Sequence, residues 1–308
     1  MTPTASIVDN AAWAGAAPKL SVLIPCFRDD PTPLLAALDH ADPAIEIVVL
    51  DDGSNDPAMA LRIAATVRGM EIATRFICLG ANQGRAEGRN RLAAVARGEY
   101  LLFLDSDMLP DAPDFLLRWR YLIDLEDPAV AFGGFSLDQA PRTRANAVHR
   151  SMAQRSECIP AETRRLTPEK YVFTSNLLIR RDVFDAEPFD GGFVGWGWED
   201  VEWGMRVSRR HRIRHIDNAA THLGLTPAAT IAAKFEQSAA NFARVVAAHG
   251  DMVHNYPSYR IARLLKLAPL RGLWRPWLKA AALIDAGPAG PRAFALRLYR
   301  AALYAEAV

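Results

Sequence analysis

Two short apolar segments in the first third of the chain run directly into acidic residues. Residues 45–50 (IEIVVL) are followed by Asp51 and Asp52, and residues 100–104 (YLLFL) are followed by an Asp-Ser-Asp triplet. Apolar runs of about four to eight residues are typical of strands that are covered on both faces, as in a parallel sheet. A carboxylate at the carboxyl end of such a strand usually faces a ligand crevice. The two segments therefore predict an α/β fold with a binding site along one edge of its sheet.

Strand-like and helix-like segments alternate along the first 110 residues. The predicted strands are residues 20–25, 45–50, 71–79 and 100–104, and the predicted helices are residues 33–40, 59–67 and 85–97. This alternation predicts a mostly parallel central sheet with flanking helices and right-handed crossovers. Beyond residue 110 the pattern is less regular. Strands are predicted there at 130–135, 171–180 and 212–216, and helices at 115–125, 199–209 and 228–249.

The charge of the chain is balanced overall but unevenly distributed. The 36 basic and 35 acidic residues give a net charge of +1, yet residues 255–308 contain nine Lys/Arg and only two Asp/Glu. The remaining residues are therefore mildly acidic, which argues against nucleic acid as a partner. A basic carboxyl-terminal segment is compatible with an anionic membrane surface as a partner.

Cysteine usage and the absence of long apolar runs bear on the compartment. Cys26, Cys78 and Cys158 are odd in number and far apart, and two of them lie in apolar runs, which predicts reduced thiols. The first twenty residues show no signal-peptide pattern, and no apolar run approaches the roughly 20 residues that a membrane span needs. We expect a cytoplasmic protein, either free or peripheral on the cytoplasmic face of the membrane.

The triplet Asp105, Ser106 and Asp107 places two carboxylates just beyond a predicted strand. Hard divalent cations prefer oxygen ligands, and Mg²⁺ is often held by one or two carboxylates together with substrate phosphates. Mn²⁺ accepts the same ligands and also an imidazole. The triplet therefore predicts a divalent cation, Mn²⁺ or Mg²⁺. A solvated Asp-Ser-Asp turn is the alternative.

Asp51 and Asp52 end another predicted strand and precede Gly53. Carboxylates in this position can accept hydrogen bonds from a nucleobase or from ribose hydroxyls. The alternative is a plain Asp-Gly turn in which the side chain caps the next helix. Arg89 lies in the predicted helix that precedes the Asp-Ser-Asp strand, where it could contact a base or diphosphate or remain solvated.

A segment with the sequence GGFVGWGWED combines glycines and tryptophans with an acidic pair. Trp196 and Trp198 offer flat apolar faces on which a sugar ring can pack, and Gly197 permits close backbone approach. Glu199 and Asp200 start the next predicted helix, whose dipole favours an ionised carboxylate. An ionised carboxylate beside an acceptor hydroxyl is a suitable general base. An acidic first turn over aromatic core residues is the structural alternative.

Taken together, the ordered motifs resemble those of family 2 glycosyltransferases. The resemblance covers about residues 21–224 and implies a glycosyltransferase-A fold, which is Rossmann-like, with a nucleotide-activated sugar as donor. The motifs are Ile24-Pro25, Asp51-Asp52-Gly53-Ser54, Asn82-x-Gly84, Gly88-Arg89-Asn90, Gly98-Glu99-Tyr100 and Phe103-Leu104-Asp105-Ser106-Asp107. The family often has Ala where Gly88 stands, a departure without mechanistic consequence.

The resemblance also implies roles for individual residues on the donor side. Asp52 would bind the base or ribose with Asp51 nearby, and Arg89 would assist. Asp105 would touch the ribose or the metal, and Asp107 would coordinate the metal. The remaining residues expected in the nucleotide-sugar site are Pro25, Phe27 and Ser106.

The segment from Trp196 to Asp200 resembles the Trp-Gly-x-Glu-Asp motif of galactosyl-, N-acetylgalactosaminyl- and chondroitin-type transferases. By that resemblance Asp200 is the catalytic base of an inverting reaction, and Glu199 binds the sugar acceptor together with Trp196, Gly197 and Trp198. Trp198 replaces a common Gly and leaves the donor sugar open. His222 stands where similar enzymes have a histidine that completes the metal site.

These resemblances predict an inverting, metal-dependent transferase that moves a sugar from a nucleotide sugar, expected to be a UDP-sugar. The acceptor would be a glycan or a lipid-linked saccharide in surface polysaccharide or glycoconjugate synthesis. A nucleotidyltransferase acting on sugar phosphates stays open, although residues 25–30 (PCFRDD) lack a glycine-rich or basic phosphate loop. A non-catalytic sugar- or membrane-binding scaffold also stays open, although it would not need Asp107, Asp200 and His222.

The predicted domain organisation has three parts. Residues 1–19 form an amino-terminal extension, residues 20–250 form the catalytic domain, and residues 251–308 form a basic amphipathic helical extension. Within the catalytic domain, residues 20–110 would be the nucleotide-binding half and residues 111–250 the acceptor half. Residues 260–284 carry six Lys/Arg and no acid, interleaved with Leu and Trp. This stretch would either lie on an anionic leaflet or pack on the catalytic domain.

Overall fold

A computed structural model describes residues 5–308, so residues 1–4 of the predicted amino-terminal extension lie outside the described part. The strands are β1 (Ser6–Asp9), β2 (Leu20–Cys26), β3 (Ile45–Asp51), β4 (Ala73–Cys78), β5 (Tyr100–Phe103), β6 (Met108–Pro110), β7 (Val130–Phe132), β8 (Phe135–Ser136), β9 (Leu177–Arg180), β10 (Ile213–His215) and β11 (Ala220–His222).

Twelve α-helices surround these strands within the described residues. They are α1 (Thr32–Leu38), α2 (Pro57–Gly69), α3 (Arg85–Val95), α4 (Phe115–Glu126), α5 (Ala147–Ser156), α6 (Ala161–Arg164), α7 (Arg181–Ala186), α8 (Glu199–Ser208), α9 (Ala228–Val253), α10 (Pro257–Lys266), α11 (Arg271–Leu283) and α12 (Ala289–Tyr304). Short 3₁₀ turns occupy Trp13–Gly15 and Pro168–Tyr171.

The central sheet has eight strands in the order β1-β4-β3-β2-β5-β9-β7-β10. Its middle strands β4, β3, β2 and β5 are parallel, whereas β1 and β9 run antiparallel to their neighbours. Asp51 at the end of β3 lies opposite Cys26 of β2 and Cys78 of β4, so three strands end at the same edge. A second sheet, β6-β11-β8, lies beyond that edge. The predicted mostly parallel α/β sheet is confirmed.

Three details of the sequence prediction are wrong. The strand predicted at 171–180 begins only at Leu177, because a 3₁₀ turn and a loop precede it. The strand predicted at 130–135 is two strands in two sheets, separated by Gly133 and Gly134. A Cβ on Gly133 would lie 2.4 Å from the Nδ2 atom of Asn176, and Gly134 has a φ of +99°, so the chain turns where side chains do not fit. Strand β1 was not predicted at all.

The core consists of three hydrophobic clusters. One packs α1, α2 and α4 against one face of the sheet, and the second packs α3, α7 and α8 against the other face. The third joins α5, α8 and α9 to the carboxyl-terminal helices, with Phe242, Leu296 and Tyr304 among its buried side chains. The carboxyl-terminal helices therefore share a core with α8 and α9. Helix α9 is kinked at His249, whose φ of −132° is not helical, and a short helical stretch after the kink ends at Val253. The division predicted at residue 250 stays a prediction.

Candidate active site

Asp51 closes strand β3 and is fully buried. Its Oδ1 atom accepts hydrogen bonds from the backbone N–H of Ser54 at 3.0 Å and from the Ser54 hydroxyl at 2.5 Å. Its Oδ2 atom faces the thiol of Cys78 at 3.6 Å. The carboxylate therefore fixes the turn that follows β3, and a direct contact with a nucleotide stays a prediction.

Asp52 connects this turn to the loop before α3. Its carboxylate accepts hydrogen bonds from the backbone N–H groups of Gln83 at 2.8 Å and Gly84 at 3.0 Å, and from the Asn82 amide at 3.0 Å. Gly53 allows the two segments to touch, because its φ is +75° and a Cβ there would lie 2.4 Å from the backbone of residues 81 and 82. The Asp52 side chain thus holds the entrance to α3 in place.

Arg85, Arg89, Asp105 and Glu199 form one ionic network behind the Asp-Ser-Asp turn. Arg89 is almost entirely buried, and its Nη2 donates to Asp105 Oδ1 at 2.6 Å while its Nη1 lies 4.0 Å from Glu199. Arg85 forms an ion pair with Glu199. Burial alone would raise the pKa of Glu199, but Arg85 and Arg89 outweigh it and hold that pKa below its ordinary value. Helix α3 therefore fixes an ionised Glu199 at the start of α8.

Asp200 follows in the first turn of α8, as the sequence predicted. Burial and the neighbouring Glu199 charge raise the pKa of Asp200 to about 7, against the opposing effect of Arg85 and Arg89. The helix dipole was expected to keep this carboxylate ionised, but burial and the Glu199 charge bring its pKa close to neutral pH. A carboxyl group that titrates near neutral pH is suited to accept a proton from a hydroxyl under those conditions.

Asp107 and His222 meet because β6 pairs with β11, which places His222 opposite Met108. The His222 Nε2 atom lies 3.3 Å from Asp107 Oδ2. Gly224 makes the approach possible, since a Cβ there would lie only 1.9 Å from that oxygen. Burial would lower the pKa of His222 and raise that of Asp107, but their mutual attraction outweighs it in both cases.

The Asp107–His222 pair fits a divalent cation. Two adjacent ligands at about 2.1 Å from an octahedral ion lie about 3 Å apart, close to the separation of these two atoms. The other ring nitrogen of His222, Nδ1, is buried without a hydrogen-bond partner among residues 5–308 and lies 4.0 Å from Glu157 Oε2. His149, Glu157 and His222 offer ligand atoms within 4.8 Å of one another. Carboxylates suit Mn²⁺ and Mg²⁺, and an imidazole is a ligand that first-row transition metals also accept.

One cavity of about 350 Å³ brings several of these groups together. Asp105, Asp107 and His222 line one part of its wall, and residues 196–200 line another. Six further side chains that line the cavity were not singled out in the sequence: His149, Glu157, Lys170, Lys234, Arg300 and Tyr304. The predicted donor-site residues Pro25, Phe27, Asp51, Asp52, Arg89 and Ser106 do not line it. The predicted base and the predicted metal ligands therefore share one space.

The two tryptophans of the predicted acceptor site differ in their surroundings. The Trp198 indole donates to the Tyr304 hydroxyl at 2.9 Å, and its ring packs on Phe242 with centroids 4.9 Å apart. Trp198 has a φ of +79°, a conformation that favours glycine and costs other residues about 1–2 kcal/mol. Contacts with Phe242 and α12 offset that strain. Trp196 also lines the cavity, but it packs beside Phe235, with ring centroids 6.2 Å apart.

The remaining predicted donor-site residues lie around the loop after β2. Phe27 is 42% exposed there, with the Arg28 guanidinium 4.9 Å from its ring centroid. The Ser106 hydroxyl donates to Asp29 at 2.8 Å, which ties this loop to the Asp-Ser-Asp turn. Pro25 lies within β2 and is partly exposed. Contact of Pro25, Phe27 and Ser106 with a nucleotide stays a prediction.

Several cavity residues had no signal in the sequence. His149 and Glu157 lie on or next to α5, inside an arginine-rich stretch with no recognisable motif, while Lys234 and Arg300 lie in α9 and α12. Only tertiary packing brings them to the cavity. Arg85 did have a signal, because it opens the helix that carries Arg89, and its role could have been inferred from that position.

Comparison with known proteins gives three findings. The family model described as glycosyl transferase family 2 matches residues 21–186. The chain is 24% identical over 239 residues to the uncharacterized glycosyltransferase YfnE of Bacillus subtilis (strain 168), an alignment that covers 61% of this chain. The alignment spans only 60% of the length of YfnE.

Solved structures resemble the whole described fold. S. aureus TarS 1-349 in complex with UDP-GlcNAc matches with a TM-score of 0.55 and 18% identity, covering 94% of this chain and 90% of that one. The mannosyltransferase PcManGT from Pyrobaculum calidifontis, in complex with GDP-Man and Mn²⁺, matches with a TM-score of 0.57 and 16% identity, covering 96% and 88%. At these identities the likeness shows the fold alone, and it confirms the predicted glycosyltransferase-A architecture.

Proposed function

Because the chain belongs to glycosyl transferase family 2, we propose that it transfers a sugar from a nucleotide sugar to an acceptor hydroxyl with inversion at the anomeric carbon. The observation that carries this proposal is that Asp107, His222 and Asp200 line a single cavity. A base and a metal-binding pair in one space are what a single displacement requires. A binding scaffold would need neither a carboxyl group with a pKa near 7 nor a metal site beside it.

In the proposed reaction, Asp200 accepts the proton of the acceptor hydroxyl as the oxygen attacks the anomeric carbon. The bond from that carbon to the diphosphate breaks, and its electron pair leaves with the nucleotide. Asp107 and His222 would hold a divalent cation, which when bound stabilises negative charge on the leaving diphosphate. Glu199 is bound to Arg85, so it positions the first turn of α8, and with it Asp200, in addition to any contact with the acceptor.

The donor is proposed to be a UDP-sugar. TarS, which shares the fold, was solved with UDP-GlcNAc, whereas PcManGT was solved with GDP-Man and Mn²⁺. A panel of UDP-, GDP- and dTDP-sugars, screened by thermal shift with Mn²⁺ present, decides between them. Stabilisation by a GDP- or dTDP-sugar alone would overturn the uridine assignment.

Donor hydrolysis tests the proposed activity itself. The wild-type protein should release free nucleotide from its donor with Mn²⁺ and lose this activity with a chelator. Asp107→Asn and His222→Gln should weaken Mn²⁺ binding by about 100-fold, as measured by electron paramagnetic resonance, since each removes one ligand. Asp138→Asn, an exposed carboxylate away from the cavity, is the control. Pyrophosphate release from a nucleoside triphosphate and a sugar phosphate would instead support a nucleotidyltransferase.

We also propose that the protein works on the cytoplasmic face of an anionic membrane, on a glycan or lipid-linked saccharide in surface polysaccharide or glycoconjugate synthesis. No helix within residues 5–308 is both long and apolar enough to cross a bilayer. Helices α10 and α11 and the turn between them nevertheless expose large apolar side chains: Leu264 (69%), Leu267 (82%), Leu270 (70%), Leu273 (67%) and Trp277 (75%). Arg260, Arg263 and Arg271 belong to the same segment, so the surface combines apolar anchors with cations that suit anionic headgroups.

Vesicle pelleting tests this surface with the full chain. Vesicles containing phosphatidylglycerol should pellet the wild-type protein, and neutral phosphatidylcholine vesicles should not. The double change Leu267→Glu and Trp277→Glu should abolish pelleting, because it puts two charges where the chain would enter the interface. Leu61→Glu, at a leucine that is 70% exposed on α2, is the matched control. Equal pelleting of all three proteins would contradict the proposal.

A further inference from the structure

The wall of the catalytic cavity that faces the carboxyl-terminal helices carries two basic side chains that the proposed transfer does not use. Lys234 extends from α9 and Arg300 from α12, and both line the cavity that contains Asp200. Both are partly buried, and neither makes an ion pair or hydrogen bond within residues 5–308. Two cations without a carboxylate partner thus face the space that a substrate would enter.

An aromatic ring lies beside each of these cations. The Lys234 Nζ atom lies 5.7 Å from the centroid of the Trp196 ring, and the Arg300 Cζ atom lies 5.0 Å from that of Phe235. Burial lowers the pKa of Lys234, and the nearby Arg85 adds to this effect. Glu157 acts on both cations through its charge, and Asp105 and Asp107 also act on Lys234, but none of them forms an ion pair with either cation within residues 5–308. A partly desolvated cation without a direct carboxylate contact is stabilised when an anionic ligand binds beside it.

We infer that Lys234 and Arg300 form a subsite for a phosphate group carried by the acceptor. This inference rests on the proposed transferase function, since it assigns the charge of the molecule whose hydroxyl Asp200 would deprotonate. An arginine fork binds phosphate oxygens in pairs and a lysine adds a point charge, so the two suit a phosphate monoester or diester. Trp196 lies four residues before Asp200 in the chain and beside Lys234 in space, where it would contact the sugar or polyol that joins phosphate and hydroxyl.

The diphosphate of the donor is the other phosphate group that Lys234 and Arg300 could bind. Lys234 is close enough to Asp105 and Asp107 for their charges to affect it, and the donor diphosphate would approach those two residues. Arg300 comes from α12, which belongs to the cluster beside α5 and α9 and not to the sheet edge that ends in the Asp-Ser-Asp turn. The two sources differ in whether the subsite remains free when a nucleoside diphosphate is bound.

Calorimetric titration of the full chain separates the sources. With UDP and Mn²⁺ at saturation, wild-type protein should bind glycerol 3-phosphate and should not bind glycerol. Lys234→Met and Arg300→Met should each weaken glycerol 3-phosphate binding by about tenfold or more while leaving UDP affinity within about twofold. Arg244→Met, on the same helix as Lys234 but paired with Asp190 outside the cavity, should change neither value.

Each remaining outcome overturns the inference. If wild-type protein does not bind glycerol 3-phosphate, or binds it no better than glycerol, the subsite does not exist. If UDP prevents the binding, or if both variants lose UDP affinity, the cations serve the donor diphosphate. Arg300→Lys, which keeps the charge, should recover part of the binding that Arg300→Met loses, and a failure to recover any of it would mean that the loss came from a perturbed fold. If only the phosphate subsite is absent, the wild-type protein should still hydrolyse its donor in the presence of Mn²⁺. If the proposed transferase function is wrong, this hydrolysis should be absent.

Discussion

The sheet edge formed by β2, β3 and β4 and the cavity beneath α8, α9 and α12 both carry acidic side chains, but they use them differently. At the sheet edge, the carboxylate of Asp51 accepts a hydrogen bond from Ser54, and that of Asp52 accepts hydrogen bonds from residues 82–84. In the cavity, Asp200 has only the backbone N–H of Val201 as a hydrogen-bond donor within residues 5–308. The two carboxylates at the sheet edge therefore hold neighbouring loops in place, whereas Asp200 in the cavity makes few hydrogen bonds with the protein.

Replacement of the proposed base is the strongest test of this difference. Asp200→Asn keeps the size of the side chain and removes its ability to accept a proton, so the transfer rate should fall by about 10²–10⁴-fold. Mn²⁺ and nucleotide affinity should stay near wild-type values, because Asp200 contacts neither in the proposed reaction. Asp190→Asn, at a carboxylate paired with Arg244, is the control. Near-normal transfer by Asp200→Asn would remove the distinction between the two regions.

The sheet edge should respond to substitution through stability. Asp52→Ala removes the acceptor of three hydrogen bonds, so the backbone N–H groups of Gln83 and Gly84 lose their partner. This loss should lower the free energy of unfolding by about 2–4 kcal/mol. Urea denaturation measures this change. Asp185→Ala, at an exposed carboxylate, should change it by less than about 0.5 kcal/mol. If Asp52→Ala leaves the stability unchanged and raises the KM for the donor, the main role of Asp52 is to bind the nucleotide and not to stabilise the fold.

The same contrast explains which features the sequence could predict. Asp51 and Asp107 follow apolar strands, so a local pattern identifies them and places them at one edge of the sheet. Glu199 and Asp200 were likewise predicted at the start of α8. Other residues of the cavity, such as Lys234 on α9 and Arg300 on α12, reach it only through packing between distant elements. No local pattern reports that kind of proximity.

The sequence also did not predict the pKa of Asp200, where burial acts against the dipole of the helix. The dipole of α8 was expected to keep Asp200 ionised, but the dipole effect is about 0.3–1 kcal/mol at exposed sites. Burial beside a second carboxylate can exceed that value, since one pKa unit corresponds to about 1.4 kcal/mol. The extent of burial depends on α9, α12 and the loop before α8, which the sequence of residues 191–200 does not contain. The motif therefore identifies the residue proposed as the base, but it does not predict the pKa of that residue.

The pH dependence of the transfer rate gives the finest comparison between the cavity and the sheet edge. Asp200 accepts a proton only when ionised, and burial and Glu199 raise its pKa to about 7, so kcat/KM should fall about tenfold per pH unit below that value and level off above it. Glu199→Gln removes the neighbouring negative charge and leaves Arg85 and Arg89 in place, so this acidic limb should move to lower pH. Initial rates between pH 5 and 9, roughly the range in which such groups titrate, measure both profiles. Asp51→Asn, at the sheet edge, should leave the limb where it is, because Asp51 lies outside the cavity and is not among the charges that shift the pKa of Asp200. A limb that shifts with Asp51→Asn and not with Glu199→Gln would mean that the two regions titrate as one site.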